Sequence, residues 1–410
     1  MKTDVLVIGG GSAGMAAALS AVKYGAKAMI IERDGRLGGI LNQCIHNGFG
    51  LKYFKTEMTG PEYANAWIEK VKAGGVDVCL ETSVTGIKRR TDGGFNVSVI
   101  SPKGAFSIAA RAIVLAMGCR ERPSAAIGLC GTRPVGVMTA GSAQKMINIY
   151  GKMIGKRVVI VGSGDVGLIM ARRLHFEGAH VLGVYEIGQT PSGLNRNIVQ
   201  CLKDFNIPLH LGETVMEVVG SERVEGVYVA KVNPDFSFNH KTRRFVKCDT
   251  VLLSVGLVPE NDLVEKQILL SPITGGAVVD DRYMTSEAGV FACGNALHVH
   301  DIVDDVTAES ELAGACAGQY AIGQIENAAR FKVQAGEGVR YTVPSYISAE
   351  SGFIAIKFRV SKPKRDAEIV VKCGDAVIGQ RKTNIVLPAQ MEQIMVERSK
   401  ICGDIVVEVR

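Results

Sequence analysis

The stretch of sequence that decides the fold is Val5-Leu6-Val7-Ile8-Gly9-Gly10-Gly11-Ser12-Ala13-Gly14. The apolar run is typical of a buried strand, and Gly9 permits the sharp turn that follows it. Gly11 lets backbone N–H groups approach a pyrophosphate, and Gly14 lets the next helix pack on the strand. A second strand ends at Glu32, whose carboxylate can accept both hydroxyl hydrogens of an adenosine ribose. This order predicts a dinucleotide site with the phosphates at a helix N-terminus.

The same order of elements recurs later in the chain. The strand Val158-Val159-Ile160-Val161 leads into Gly162-Ser163-Gly164-Asp165-Val166-Gly167, and the strand after the next helix ends at Glu186. One such motif could arise by coincidence, but a duplicated order of strand, turn, helix, strand and acid indicates two homologous units. Glu186 favours NAD over NADP, because a carboxylate repels the 2′-phosphate of NADP. The sequence therefore predicts a second dinucleotide site that prefers NAD.

The segments after the second unit complete the organisation. Gly289–Asn295 is typical of a short strand and a glycine turn, and a long helix is expected over 305–329, with Asp304, Asp305 and Thr307 as candidate caps. Beyond Arg330 the apolar residues alternate with period two, which predicts a small antiparallel β-domain. We expect an α/β protein with two Rossmann-like dinucleotide-binding domains, the second inserted in the first, and a small C-terminal all-β domain. The expected bounds are 1–124 with 286–332 for the first domain, 125–285 for the second and 336–410 for the third.

Composition excludes several classes of protein. The 410 residues carry a net charge of +6 without long basic runs, so nothing indicates a nucleic-acid surface. The ten cysteines include no CxxC pair and no metal-type cluster. The apolar runs are far shorter than the roughly 18 to 20 residues of a membrane helix, and the first strand begins too early for a signal peptide. We therefore expect a cytoplasmic protein with reduced thiols and no integral membrane segment.

The assembled motifs resemble the flavoproteins with two dinucleotide-binding domains, the pyridine nucleotide-disulfide oxidoreductase superfamily, over residues 1 to about 330. The specific marks are the first turn with Glu32, Gly38-Gly39, Ala116-Met117-Gly118, the inserted second turn, and Gly294-Asn295. Further motifs resemble one subgroup, the flavoprotein subunits that accompany glycerol-3-phosphate dehydrogenase-like proteins, related to the alpha chains of opine and sarcosine oxidases. Those motifs are Gly39-Ile40-Leu41-Asn42-Gln43-Cys44, Gly136-Val137-Met138-Thr139-Ala140-Gly141 and Leu297-His298-Val299-His300-Asp301.

The resemblance implies an oxidoreductase that transfers a hydride between NAD(P)(H) in the second unit and FAD in the first. It also implies a helix N-terminus at Val306-Thr307-Ala308 that faces the flavin ring. Asn295 stands where the family usually has Asp, and its amide oxygen can still accept a hydrogen bond from the ribityl chain. The residues assigned to FAD are Gly9, Gly11, Ser12, Ala13, Gly14, Glu32, Arg33, Gly39, Ala116, Gly118, Gly294, Asn295 and Thr307. Those assigned to NAD are Gly162, Gly164, Asp165, Val166, Gly167, Glu186 and Gly256.

The dithiol motifs of the superfamily are missing from this sequence, so dithiol chemistry is disfavoured. Cys44 and His46 are the candidate catalytic residues, because a lone cysteine beside a histidine could reduce peroxide; a packed loop thiol is the competing interpretation. His298 and His300 precede acidic residues, but their position favours flavin or loop contacts, and we predict no metal.

Three hypotheses on function remain open. The first is an electron-transfer subunit of a larger dehydrogenase, with a partner subunit or a homo-oligomer. The second is an NADH-dependent peroxide or oxygen reductase that uses Cys44. The third is a non-enzymatic redox-sensing scaffold with the β-domain as its interaction surface. We expect that removing residues 336–410 leaves FAD binding intact.

Overall fold

The computed structural model describes residues 1–325, 330–348 and 352–410. The chain forms two compact units: unit 1 comprises Met1–Cys119 and Val258–Arg410, and unit 2 comprises Arg120–Leu257. Residues 258–285, which the sequence placed in the second domain, thus lie in unit 1. The reason is that Val264, Ile268 and Val279 bury their side chains in the core of unit 1.

The first part of unit 1 carries a parallel sheet with helices against it. The elements are β1 (Val5–Ile8), α1 (Ser12–Lys23), β2 (Ala28–Ile31), β3 (Asn47–Phe49), β4 (Met58–Thr59), α2 (Gly60–Ala73), β5 (Asp77–Cys79), β6 (Ser83–Arg89), β7 (Phe95–Ser101), β8 (Gly104–Ala110), β9 (Ala112–Leu115) and β10 (Cys119–Glu121), with β21 (Val290–Ala292) and α6 (Val303–Ala321) after unit 2. The order of the sheet is β21-β9-β1-β2-β5, with β1 and β9 completely buried. A three-stranded antiparallel sheet, β6-β7-β8, precedes β9.

Unit 2 repeats this plan in a second parallel sheet. The elements are β11 (Cys130–Gly131), β12 (Val137–Thr139), α3 (Ala140–Asn148), β13 (Arg157–Val161), α4 (Asp165–Phe176), β14 (His180–Glu186), α5 (Asn195–Cys201), β15 (Leu209–Leu211), β16 (Glu213–Val219), β17 (Gly226–Lys231), β18 (Arg244–Val246) and β19 (Thr250–Leu253). The chain passes from unit 1 to unit 2 within β10 and returns within β20 (Leu257–Pro259). The order of the sheet is β12-β19-β13-β14-β15. The glycine turn again follows the central strand, β13, and the acid again ends its neighbour, β14, so the duplicated order predicted from sequence is confirmed.

The C-terminal strands form two sheets around a core of their own. The strands are β22 (Arg330–Ala335), β23 (Val339–Val343), β24 (Tyr346–Ser348), β25 (Phe353–Val360), β26 (Lys364–Cys373), β27 (Ala376–Val386), β28 (Glu392–Glu397) and β29 (Ile405–Val409). The sheet orders are β24-β22-β29-β26-β27 and β23-β25-β28. The expected all-β domain is confirmed, but it is not wholly antiparallel, because β22 and β29 pair in parallel. A parallel pair needs a long connection, which the intervening strands supply.

Helices α1 and α6 pack together closely because small residues line their contact. A Cβ built at Gly314 would lie 2.1 Å from the carbonyl oxygen of Ala17, and one at Gly318 would lie 3.0 Å from the Cα of Ala21. This contact holds the helix that follows the first glycine turn against the helix that returns to unit 1 after unit 2. Across the described residues, no helix is both long and apolar enough to cross a membrane.

Candidate functional site

The first glycine turn forms a cradle of backbone. A Cβ built at Gly14 would lie 1.8 Å from the carbonyl oxygen of Gly9, and one at Gly9 would lie 2.4 Å from that of Ala116. These short distances leave no room for side chains, so the turn packs closely against α1 and against the residues that follow β9. At Gly11 a Cβ would have no described atom within 4 Å, whereas at Gly39 it would lie 3.2 Å from the Cα of Gly11. The backbone at Gly11 therefore borders open space, and a pyrophosphate group fits beside such a backbone.

Glu32 lies beside this cradle, as the sequence predicts. Its Oε2 accepts a hydrogen bond from the Gly10 N–H at 2.7 Å, and its Oε1 accepts one from the Asp34 N–H at 2.8 Å. A carboxylate has about four acceptor positions, so acceptor capacity remains for ribose hydroxyls. The first turn of α1 begins with Ser12-Ala13 and is uncharged, which preserves its attraction for anions. Arg33, the next residue after the acid, is exposed.

Two further glycines of the predicted FAD set adopt conformations that favour glycine. Gly118 has φ +75° and borders open space. Gly294 has φ +63°, and a Cβ there would lie 2.7 Å from the Cβ of Ala13 at the start of α1. An L side chain is strained at these angles, so both positions favour glycine, and the close contact at Gly294 holds the chain against the start of α1. Ala116, whose carbonyl oxygen meets Gly9, is buried.

Asn295 directs its amide toward the protein. Its Oδ1 accepts a hydrogen bond from the His300 N–H at 3.0 Å, and its Nδ2 donates to the Cys119 Sγ at 3.6 Å. The His300 Nδ1 also lies 3.3 Å from this oxygen, so a ribityl hydroxyl must share the Asn295 Oδ1 with His300. That contact stays a prediction.

Four groups surround the buried carboxylate of Glu309 on α6. Its Oε1 accepts from the Gly294 N–H at 2.9 Å, and its Oε2 lies 2.7 Å from the Lys357 Nζ, 2.9 Å from the His298 Nε2 and 3.2 Å from the His300 Nε2. Burial alone would raise the pKa of Glu309, but His300, Lys357 and His298 hold it well below the ordinary value. Burial lowers the pKa of His298 to about 4. Glu309 is therefore an anion neutralised by Lys357, which belongs to the C-terminal domain.

The donor atoms of His298, His300 and Glu309 lie within 4.8 Å of one another, a spacing that could suit a metal ion. The Lys357 ammonium group already contacts the carboxylate, and it neutralises the negative charge that would attract a divalent cation. The donor set therefore fits an ion-pair cluster better than a metal centre.

The start of α6 differs from the sequence prediction. The apolar Ile302 occupies the N-cap and the helix runs from Val303 to Ala321, so the predicted caps, start and end are wrong; 326–329 lie outside the described residues. Thr307 therefore lies beyond the first turn, where a backbone N–H bonds within the helix. Its hydroxyl lies 2.7 Å from the hydroxyl of Tyr63. Asp304 accepts from the backbone N–H of Tyr53 at 2.9 Å, so a loop of unit 1 covers part of this helix end.

The Cys44 loop has few features of a reactive thiolate site. The Cys44 Sγ donates to the carbonyl oxygen of Ile40 at 3.3 Å, and desolvation raises the pKa of this thiol to about 12. The Nδ1 of His46 lies 2.9 Å from the carbonyl oxygen of Asn47. Because the thiolate is the nucleophile, a raised pKa weighs against a peroxide-reducing role for Cys44.

Ser254, which follows β19, forms hydrogen bonds with the backbone of the second glycine turn. The Ser254 hydroxyl donates to the carbonyl oxygen of Gly164 and accepts from the Gly167 N–H, both at 3.0 Å. A Cβ built at Gly162 would lie 2.3 Å from the Ser254 carbonyl oxygen. Gly256, two residues further on, has φ +102°. The turn thus has the close backbone approaches that a dinucleotide site requires.

Glu186 ends β14 beside this turn and is heavily hydrogen-bonded. Its Oε2 accepts from the Ser163 N–H at 3.0 Å, from the Ser163 hydroxyl at 2.5 Å and from the Ser192 hydroxyl at 3.2 Å. Its Oε1 accepts from the Gly188 N–H at 2.9 Å. A ribose hydroxyl must therefore compete with serine hydroxyls at this carboxylate.

Asp165 and Val166 begin α4, directly after Gly164. The Asp165 Oδ1 accepts from the Leu194 N–H at 2.9 Å and from the Asn197 Nδ2 at 2.6 Å. The acid therefore ties the loop after Glu186 to the helix start. Its negative charge also weakens the attraction of this helix N-terminus for phosphate, unlike the uncharged start of α1.

Sequence reasoning missed several residues of both sites. Ser163 lies within the second turn, but nothing in the pattern of that turn indicates its bond to Glu186. Ser254 and Tyr63 gave no signal, because serine and tyrosine are common at such positions. The sequence around Lys357 does not indicate that this residue contacts the site, because its partner Glu309 lies 48 residues away in the chain.

Known proteins resemble this chain over most of its length. The family model "Pyridine nucleotide-disulphide oxidoreductase" matches residues 3–330. A hydrogen cyanide synthase subunit HcnB of Pseudomonas protegens is 26% identical over 73% of this chain and 65% of its own length. The opine oxidase of Agrobacterium tumefaciens has a subunit that is 28% identical over 71% of this chain and 61% of its own length. The chain thus spans slightly less than two thirds of these curated relatives.

A solved structure shows the same fold. The thioredoxin reductase of T. acidophilum superposes with a TM-score of 0.64 at 22% identity, over 78% of this chain and 99% of that one. The expected α/β architecture, oxidoreductase class and cofactor types FAD and NAD(P) are confirmed by the family match. This chain belongs to the pyridine nucleotide-disulphide oxidoreductase family and is an FAD- and NAD(P)-dependent oxidoreductase.

Proposed function

We propose that this chain transfers a hydride between NAD(H) at the second glycine turn and FAD at the first, as the electron-transfer subunit of a larger, cytoplasmic dehydrogenase. The observation that carries the proposal is the pair of complete turns, each bordered by a buried acid, Glu32 or Glu186. The sequence contains no CxxC pair that would pass electrons on to a disulfide. Electrons that enter the flavin therefore need another acceptor, which a partner subunit could supply.

The residues of unit 1 act on FAD by binding and orientation. The backbone N–H groups of the turn from Gly9 to Gly14 would hold the pyrophosphate, and the dipole at the uncharged start of α1 would add to this attraction. Glu32 would accept hydrogen bonds from the adenosine ribose, and Asn295 would accept one from the ribityl chain. Bound FAD supplies the two-electron chemistry.

The residues of unit 2 select the nicotinamide nucleotide. Glu186 places a carboxylate beside the ribose that carries a 2′-phosphate in NADP, so we expect NAD to bind more tightly. Ser163 and Ser192 hold this carboxylate in place through their hydroxyl groups. The hydrogen-bonded acid therefore gives the site its preference by charge repulsion.

The partner proposal is supported by the relatives, whose names describe subunits of hydrogen cyanide synthase and opine oxidase. The proposal of a glycerol-3-phosphate dehydrogenase-like partner rests on the three subgroup motifs of the sequence. Purification of the native complex, followed by identification of the chains that co-elute, tests both statements.

Binding of FAD is tested with a matched pair of glycine substitutions. A Cβ would meet open space at both Gly11 and Gly86, yet only Gly11 borders the cradle. We expect Gly11→Val to abolish FAD binding, because its side chain occupies the phosphate position, and Gly86→Val to retain it. The released cofactor is identified by chromatography. Loss of FAD in both variants, or in neither, would contradict the assignment.

Anaerobic mixing with NADH tests hydride transfer. We expect rapid loss of flavin absorbance in the unmodified protein without any further substrate. Persistent absorbance would contradict the proposal. Peroxide turnover that disappears in Cys44→Ser would support the peroxide reductase instead.

A further inference from the structure

Two thiols of the C-terminal domain lie in contact. The Sγ atoms of Cys373 and Cys402 are 3.4 Å apart, although the residues are 29 positions apart in the chain. Cys373 ends β26 and is buried, whereas Cys402 is exposed in the turn before β29. Each thiol begins the same tripeptide, Cys-Gly-Asp, at 373–375 and at 402–404.

The strand register brings these thiols together. Strands β26 and β29 pair in an antiparallel ladder in which Cys373 lies opposite Ile405. Cys402 precedes that ladder by three residues, so both thiols lie at one end of it. A disulfide needs a sulfur separation of about 2.05 Å, and rotation of the exposed Cys402 side chain can shorten the present distance.

We propose that Cys373 and Cys402 form a thiol–disulfide exchange site, which a low-molecular-weight disulfide oxidises to an intramolecular bridge. The Cys402 sulfur, as a thiolate, attacks the oxidant, forms a mixed disulfide and releases one small thiol. The Cys373 sulfur, after losing its proton, attacks the Cys402 sulfur and displaces the second small thiol. The protein loses two protons and two electrons, and the oxidant gains them as two thiols.

The two environments suit this order of events. An exposed thiol can meet the oxidant, and a buried neighbour can resolve the mixed disulfide before a second oxidant molecule reaches it. The hydrogen bond with Cys373 raises the pKa of Cys402, so excess oxidant and long incubation are required.

The bridge would fix the end of the central ladder of the domain. Strand β29 pairs with β26 and also with β22, the strand on which the chain enters the domain. Oxidation therefore stabilises the domain that carries Lys357. This inference does not depend on where FAD or NAD binds.

The test uses the full-length protein incubated with oxidised glutathione, then alkylated and digested with trypsin. Cleavage after Lys372, Arg381 and Lys400 separates the two thiols into peptides 373–381 and 401–410. We expect these two peptides to become linked within one chain, with the loss of two titratable thiols and no retained glutathione. The thermal unfolding midpoint should rise by about 4 °C or more.

Matched cysteine variants decide the outcome. Cys402→Ser should lose the linked peptides and the rise in midpoint, whereas Cys130→Ser, which removes another exposed thiol, should keep both. Retained glutathione on Cys402, a bridge between two chains, or two thiols that stay reduced would overturn the proposal. A bridge that leaves the unfolding midpoint unchanged would overturn its stabilising role.

Discussion

Replacing Lys357 by Met tests whether the C-terminal domain is part of the FAD unit. The Lys357 Nζ lies 2.7 Å from the Glu309 Oε2, and the two side chains are 12% and 0% exposed. Methionine keeps the length and apolar character of the stem but removes the charge. Glu309 would then be a fully buried anion whose remaining contacts are the Gly294 N–H and two histidines.

The magnitude follows from the burial of this pair. Removing one partner of a buried ion pair typically costs about 3 to 5 kcal/mol, because the other charge stays desolvated. The remaining donors around Glu309 stabilise it in part, so we expect a loss of about 3 kcal/mol in the free energy of unfolding of unit 1. A second substitution, Glu309→Gln, removes the unpaired buried charge, so the double variant Lys357→Met with Glu309→Gln should recover most of that loss.

Urea denaturation followed by the fluorescence of Trp67 measures this loss. Trp67 is the only tryptophan of the chain and is buried in unit 1. The matched control is Lys372→Met in the same domain: its pair with Glu408 at 3.1 Å is 25% and 17% exposed, and we expect a loss below about 1 kcal/mol. Equal losses for the two methionine variants, or a double variant no more stable than Lys357→Met, would refute the reasoning.

Three further predictions concern selectivity, pH and the C-terminal domain. Glu186→Ala should narrow the preference for NADH over NADPH in stopped-flow flavin reduction, because it removes the charge that repels a 2′-phosphate; an unchanged ratio would count against a ribose contact. His298 has a pKa of about 4 in the folded chain against an ordinary 6.5, so unfolding takes up a proton between these values and stability falls as pH drops from 6.5 to 4. At about 1.36 kcal/mol per pKa unit the loss is about 3 kcal/mol, and His298→Gln should flatten the curve measured by urea titration at each pH. Removing residues 336–410 should leave unit 1 poorly folded and unable to retain FAD, and a soluble truncated chain with bound FAD would contradict this.

The last of these predictions reverses the expectation from sequence that the domain is separable. Period-two alternation identified the β-domain but gave no information about the surface that it covers. In the structure Arg359 pairs with Asp301, Arg398 pairs with Asp281, and Val343 joins the core of the FAD unit. These partners lie far apart in the chain, so no local pattern could reveal them.

The glycine turns were predictable because their constraint is local. Gly9 and Gly14 approach each other within six residues, and a Cβ at Gly14 meets backbone whatever the rest of the fold does. The start of α6 was less predictable, because Asp304 and Asp305 are good cap residues by type. Asp304 instead accepts hydrogen bonds from the backbone of another loop, and the helix begins one residue before it.

The two turns have nearly the same sequence pattern but differ in what already bonds to their acids. Glu32 accepts from two backbone N–H groups, whereas Glu186 also accepts from the hydroxyls of Ser163 and Ser192. A ribose at the second turn must displace or share those hydroxyls, and the charge of Asp165 lowers the attraction for phosphate there. We therefore expect FAD to stay bound through purification and NAD to exchange, which is the asymmetry that a resident flavin and a diffusing hydride carrier require.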